Sequence, residues 1–84
     1  MTLTQDQHDD LQHLMQTARW PYWPYCPMLR GDEQGFVFDG PNGQCIMYHG
    51  NLFTVIHDAV DLNTLSQKIY NNSYETIQDG WRVD

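Results

Sequence analysis

Residues 20–27 read Trp20-Pro21-Tyr22-Trp23-Pro24-Tyr25-Cys26-Pro27, a tandem pair of Trp-Pro-Tyr triplets closed by a further proline. Proline has no backbone N–H, and its ring clashes with the preceding turn, so no α-helix crosses this stretch. Each residue ahead of a proline is also pushed toward extended backbone. The chain is therefore divided: one element ends before residue 20 and a different kind of structure begins after it. A three-residue repeat matches the turn of polyproline II. That conformation would set Trp20 and Trp23 along one edge and Tyr22 and Tyr25 along another. These four aromatics are candidate binding residues, as an exposed stacking strip for a peptide, a sugar or a partner protein. Large exposed apolar patches are uncommon on monomers, which favours the competing role of a strip laid across a sheet to close a core.

The segment before the strip has a local helix signature. Thr4 and Gln7 have capping-box spacing. Leu11, Leu14, Met15 and Ala18 fall at i, i+3, i+4 and i+7 and would form one apolar stripe. Asp6, Asp9 and Asp10 lie early and Arg19 late, as the helix dipole prefers. Pro21 is the expected stop.

Beyond the strip the pattern changes to that of an antiparallel sheet. Met28-Leu29-Arg30 reads as a short strand before the loop Gly31–Gly35. Phe36-Val37-Phe38 follows, then the turn residues Gly40-Pro41-Asn42-Gly43, then Cys45–Tyr48. Gly50-Asn51 has the form of a two-residue hairpin loop leading into a strand Leu52–Ile56. Such a hairpin would place His49 opposite Leu52, Tyr48 opposite Phe53 and Met47 opposite Thr54. One face would then carry Phe36, Phe38, Cys45, Met47, Leu52 and Ile56; the other would carry Val37, Ile46, Tyr48, Phe53 and Val55. Neither face is polar, whereas a sheet with one solvated side alternates apolar with polar residues. Both sides therefore need a cover, supplied by helices, by the aromatic strip or by another subunit.

Asp61 is a good N-cap, so a second helix is expected through Leu62, Leu65 and Ile69 toward Asn71-Asn72. Tyr74–Ile77 fits either more helix or a strand, and Asp79-Gly80 before Trp81-Arg82-Val83 favours a terminal hairpin. The expected fold is α+β within a single domain, residues 1–84: an N-terminal helix, a three- to four-stranded antiparallel meander and a short C-terminal helix.

Chemistry-bearing patterns are sparse. His8 and His13 are five apart, where ligands sharing a helix face sit three or four apart. Cys45 and His49 share a strand face, but a closed zinc site would also need Cys26 or His57, and His57 points the other way in this register. No metal or other cofactor is expected, and a small metal or thiol site remains a minor alternative. A reactive cysteine needs a cationic neighbour to lower its pKa, and no Lys or Arg lies within three positions of Cys26 or Cys45. The pairs Asp9-Asp10 and Asp32-Glu33 read as solvated. No phosphate loop, nucleophile elbow or metalloprotease motif occurs, so no catalytic residues are assigned and a non-enzymatic chain is expected.

Eleven carboxylates against four Lys plus Arg give a net charge of -7. That excludes direct nucleic-acid binding through a basic surface. No apolar run has the length of a membrane span. The polar, acidic start MTLTQDQHDD lacks the pattern of a secretory signal, so a cytoplasmic chain with reduced thiols is expected. The favoured function is a small regulatory protein working by protein–protein contact with a partner or with itself as a homodimer. The alternative is a phage or mobile-element inhibitor whose carboxylates mimic nucleic acid toward a basic host protein. Asp6, Asp9 and Asp10 would be its acidic patch, joined by Asp58 and Asp61 if the two helices lie side by side. Because the acids are scattered, the charge reads first as a solubility device.

Overall fold

In the computed structural model, which describes residues 2–84, eight regular elements and three short 3-10 turns follow one another. The first is α1, Gln5–Met15. Its capping box is complete: the Gln7 backbone N–H donates to Thr4 Oγ1 at 3.1 Å and Gln7 Oε1 accepts from the Thr4 N–H at 2.9 Å. Leu14 faces the core, but Met15 and Ala18 do not share its burial. The α-helix stops at Met15, well before Pro21, and the 3-10 turn Thr17–Arg19 rotates the later positions off the expected stripe.

The aromatic strip is not polyproline II, which has no internal hydrogen bonds. Instead Trp23 N–H donates to Trp20 O at 3.2 Å and Tyr25 N–H donates to Tyr22 O at 2.9 Å, so the chain turns twice. The cause is Trp20. Its ring is buried and its Nε1–H donates to His13 O at 2.9 Å, which fixes the strip against the end of α1.

From Tyr25 the chain builds a five-stranded sheet: β1 (Tyr25–Arg30), β2 (Glu33–Asp39), β3 (Cys45–His49), β4 (Gln67–Tyr70) and β5 (Arg82–Val83). All pairings are antiparallel and the order is β4-β3-β2-β1-β5. The first four strands form a meander, and β5 returns to the free edge of β1. The expected α+β class with its N-terminal helix, meander and short C-terminal helix is the observed one, with one strand more.

Two segments change type. Leu52–Ile56, read as a strand, lies in helix α2, Leu52–Asp58. The Asn51 side chain accepts from the N–H groups of Phe53 (2.9 Å) and Thr54 (3.2 Å), so Asn51 starts a helix rather than completing a hairpin loop. The strand beside β3 is β4, where Tyr48 pairs with Gln67 and Met47 with Lys68. Asp61 caps only the turn Leu62–Thr64, and Ile69, read as helical, is in that strand. Tyr74–Ile77 belongs to helix α3, Ser73–Gln78, started by the Asn72 side chain on Glu75 N–H at 2.9 Å. There is thus no terminal hairpin, and β5 pairs with β1.

The register also corrects the sheet faces. Phe36 pairs with Tyr48, Val37 with Met47 and Phe38 with Ile46, so these pairs share faces. On one side Cys26, Met28, Val37, Cys45, Met47 and Tyr70 form the main core with Leu14, Trp20, Ile77 and Trp81. α1 and α3 cover that side and touch each other. On the opposite side Phe36 and Leu52 are buried outside that cluster, with α2 above them. Gly35 allows Trp81 to seat: a Cβ there would lie 3.0 Å from the indole ring and 2.9 Å from Tyr48 O.

Candidate functional site

The strip residues divide between the two sides of the sheet. Tyr25 meets Phe36 and Phe38 with ring centroids 5.6 Å from each. Tyr22 meets Phe53 of α2 edge-on at 5.2 Å. Both tyrosines therefore belong to the α2 side. Trp20 and Trp23 turn to the α1 side, where Trp23 Nε1–H donates to Asp39 Oδ2 at 3.1 Å while its ring stays 60 % exposed. Trp20 is core, and Trp23 and Tyr22 are surface.

On the α2 side, the strands β1 to β4 present Tyr25, Pro27, Leu29, Gln34, Phe36, Phe38, Ile46, Tyr48, Gln67 and Ile69, by the alternation of each strand and the observed register. None of these is charged. α2 lies at the β1 end, where Leu52 and Phe53 adjoin Pro27, Leu29 and Gln34. Away from it Ile69 is 58 % exposed, and Ile46, Phe38 and Tyr48 are half-buried. Phe53 and Ile56 add exposed apolar surface on the helix itself.

On the α1 side a cavity of about 440 Å³ opens between the end of α1, the Trp20 ring, the β2–β3 turn and the start of α3. Leu11, Leu14, Met15, Trp20, Cys45 and Tyr74 give it an apolar wall, and Asp39 stands among the polar residues lining it. Sequence reading missed this site. Asp39 lies 16 residues from Trp23, and nothing local indicates that the two meet.

A polar cluster at the far end of the core was also missed. Asp79 accepts from the Tyr70 hydroxyl and pairs with Arg30 at 3.0 Å and Lys68 at 3.5 Å. Trp81 Nε1–H donates to Tyr70 Oη at 3.1 Å, and the Arg30 guanidinium lies 4.7 Å from the Trp81 ring centroid. The Tyr70 hydrogen bond, with Lys68 and Arg30, holds the Asp79 carboxyl below its ordinary range. Burial, followed by the same Asp79 contact, raises the Tyr70 phenol. These groups join β1, β4, α3 and the approach to β5, and they are spent on one another.

The acidic residues do not form one array. Asp6 and Asp9 are exposed, but Asp10 pairs with Arg82 and accepts from Val83 N–H at 3.4 Å, tying α1 to β5. α1 has α3 as its helical neighbour, and α2, with Asp58, lies across the sheet. The two helices are not side by side.

Cys26 and Cys45 are free, buried thiols. Burial, then the nearby Asp10 carboxylate, pushes Cys26 up to about 12, which removes it as a nucleophile near neutral pH. No group of three or more potential metal-ligating side chains occurs among the described residues. No helix among them is long and apolar enough to cross a membrane. Compared with known proteins, the chain matches no family model, no curated protein sequence and no solved structure.

Proposed function

We propose that this chain is a small non-enzymatic regulatory protein of the cytoplasm that works by protein–protein contact, through the sheet face on the α2 side. The observation that carries this reading is the absence of charge from ten strand positions on a molecule of net charge -7. A solvated sheet face is ordinarily polar at alternate positions. Ile69 is 58 % exposed and Phe53 49 %, with Ile46 and Tyr48 half-buried, so apolar side chains on this side remain open to a partner.

The uncharged positions of β1 to β4 select an equally apolar and uncharged surface, because any cation or anion set against them would be desolvated without a counter-ion. A second copy of this face meets that requirement, which makes a two-fold homodimer the first form to test. Sedimentation equilibrium of the wild type should show a dimer at micromolar concentration. Ile46→Glu or Ile69→Glu should give a monomer with unchanged far-ultraviolet circular dichroism. A wild type that stays monomeric at high micromolar concentration would remove self-association from the reading. Ile46 and Ile69 methyl groups fully shielded from a soluble paramagnetic probe in that monomer would remove the contact surface itself.

A further inference from the structure

The cavity on the α1 side is separate from the proposed contact face, with the sheet between them. We propose that it binds a hydrophobic amine: a compact aryl or alkyl body carrying one cationic nitrogen. Its volume of about 440 Å³ falls in the range of sites that enclose drug-sized molecules. Leu11, Leu14, Met15 and Trp20 line the part that would receive the apolar body. Such a body gains by leaving water, whereas the cavity walls offer little to a strongly polar ligand.

Asp39 selects the charge. It is the one lining residue that carries a full charge at neutral pH, and the lining contains no Lys or Arg to neutralise it. Trp23 Nε1–H occupies Oδ2, and the Asp39 backbone N–H donates to Pro24 O at 2.9 Å, so the carboxylate is held in place by the aromatic strip. Oδ1 has no partner among the described residues and is free to accept a charge-assisted hydrogen bond. The Trp20 ring lining the cavity also favours a cation over an anion. An anionic amphiphile of the same shape would meet both the carboxylate and the molecule's overall negative field.

The test uses three matched probes, 4-phenylbutylamine, 4-phenylbutanol and 4-phenylbutyrate, titrated into the full chain and followed by the indole N–H resonances of Trp20 and Trp23. The amine should give saturable shifts at both and bind about fivefold more tightly than the alcohol, the scale of one partly exposed ion pair. The butyrate should bind more weakly than either. Asp39→Asn keeps an acceptor for Trp23 and should bring the amine and the alcohol to equal affinity. Thr17→Trp, which fills the cavity from its rim, should abolish binding of all three while leaving the folded spectrum intact. No saturable shift at millimolar probe overturns the site. Equal binding of amine and alcohol by the wild type, or an amine preference that survives Asp39→Asn, overturns the assignment of ligand class.

Discussion

Asp79 draws its environment from three separate parts of the chain: Tyr70 at the end of β4, Lys68 within it, and Arg30 on β1. Each contact favours the carboxylate over the acid, the Tyr70 hydrogen bond most, and the folded-state pKa is lowered as a result. An unfolded chain returns Asp79 to about 3.9. Below that pH the unfolded state binds the proton more readily than the folded one, so stability present at higher pH is lost as the pH falls through the folded value. The side chain is 39 % exposed, which screens the effect and makes it a modest part of the total. Asp79→Asn should destabilise the protein at pH 7, and the gap from wild type should narrow as the pH falls below the unfolded value of about 3.9. Urea titrations at several pH values measure that gap. A constant difference across the acid range would show that the contact acts through packing and neutral hydrogen bonding alone. Asp79 precedes Gly80 and looks like a turn residue, so nothing local foretells these partners. They come together only when β4 docks at the edge of the sheet.

Elements whose signals are local were legible, and elements decided by competition were not. Thr4 and Gln7 specify the start of α1 between themselves, three residues apart, and the observed hydrogen bonds are those the spacing implies. Phe36–Phe38 and Cys45–Tyr48 are bracketed by turn residues and form strands as read. Leu52–Ile56 is different, because its Phe, Thr, Val and Ile favour a strand by propensity. Two further terms oppose that preference: Asn51 satisfies two otherwise unpartnered N–H groups, and Leu52 buries itself on the Phe36 side of the sheet. The position beside β3 then falls to Gln67–Tyr70, a strand with only one buried residue. Asn51→Ala removes the cap while leaving Leu52 in place and should cost about 1 kcal/mol in a urea denaturation experiment, with Asn51→Asp retaining most of the stability. Unaltered stability in Asn51→Ala would mean that burial of Leu52 alone decides against the strand. The candidate sites follow the same division. The strip Trp20, Tyr22, Trp23 and Tyr25 stood out in the sequence, whereas the cavity joins Trp20 to Asp39 and Tyr74, whose neighbours are set by strand register and by α3.

At the scale of the whole molecule, charge and apolar surface occupy different places, and that separation bears on how the protein associates. Each copy carries a net charge of -7, yet the ten positions that β1 to β4 present on the α2 side carry none. Two copies meeting through that face bury apolar area, which is insensitive to moderate salt, while their remaining carboxylates repel one another across the complex. Screening shortens the reach of that repulsion from roughly 14 Å at 0.05 M salt to roughly 4 Å at 0.5 M. Self-association should therefore hold constant or tighten over this range. Binding by a carboxylate array that imitates nucleic acid would do the reverse, because its attraction to a basic surface is what the salt screens. Asp10 is already committed to Arg82, leaving Asp6 and Asp9 as the open acids of the first patch. Sedimentation equilibrium at the two salt concentrations tests the first of these expectations. A dimer that weakens tenfold or more at high salt would place charged groups in the interface and count against the uncharged face as the surface of contact.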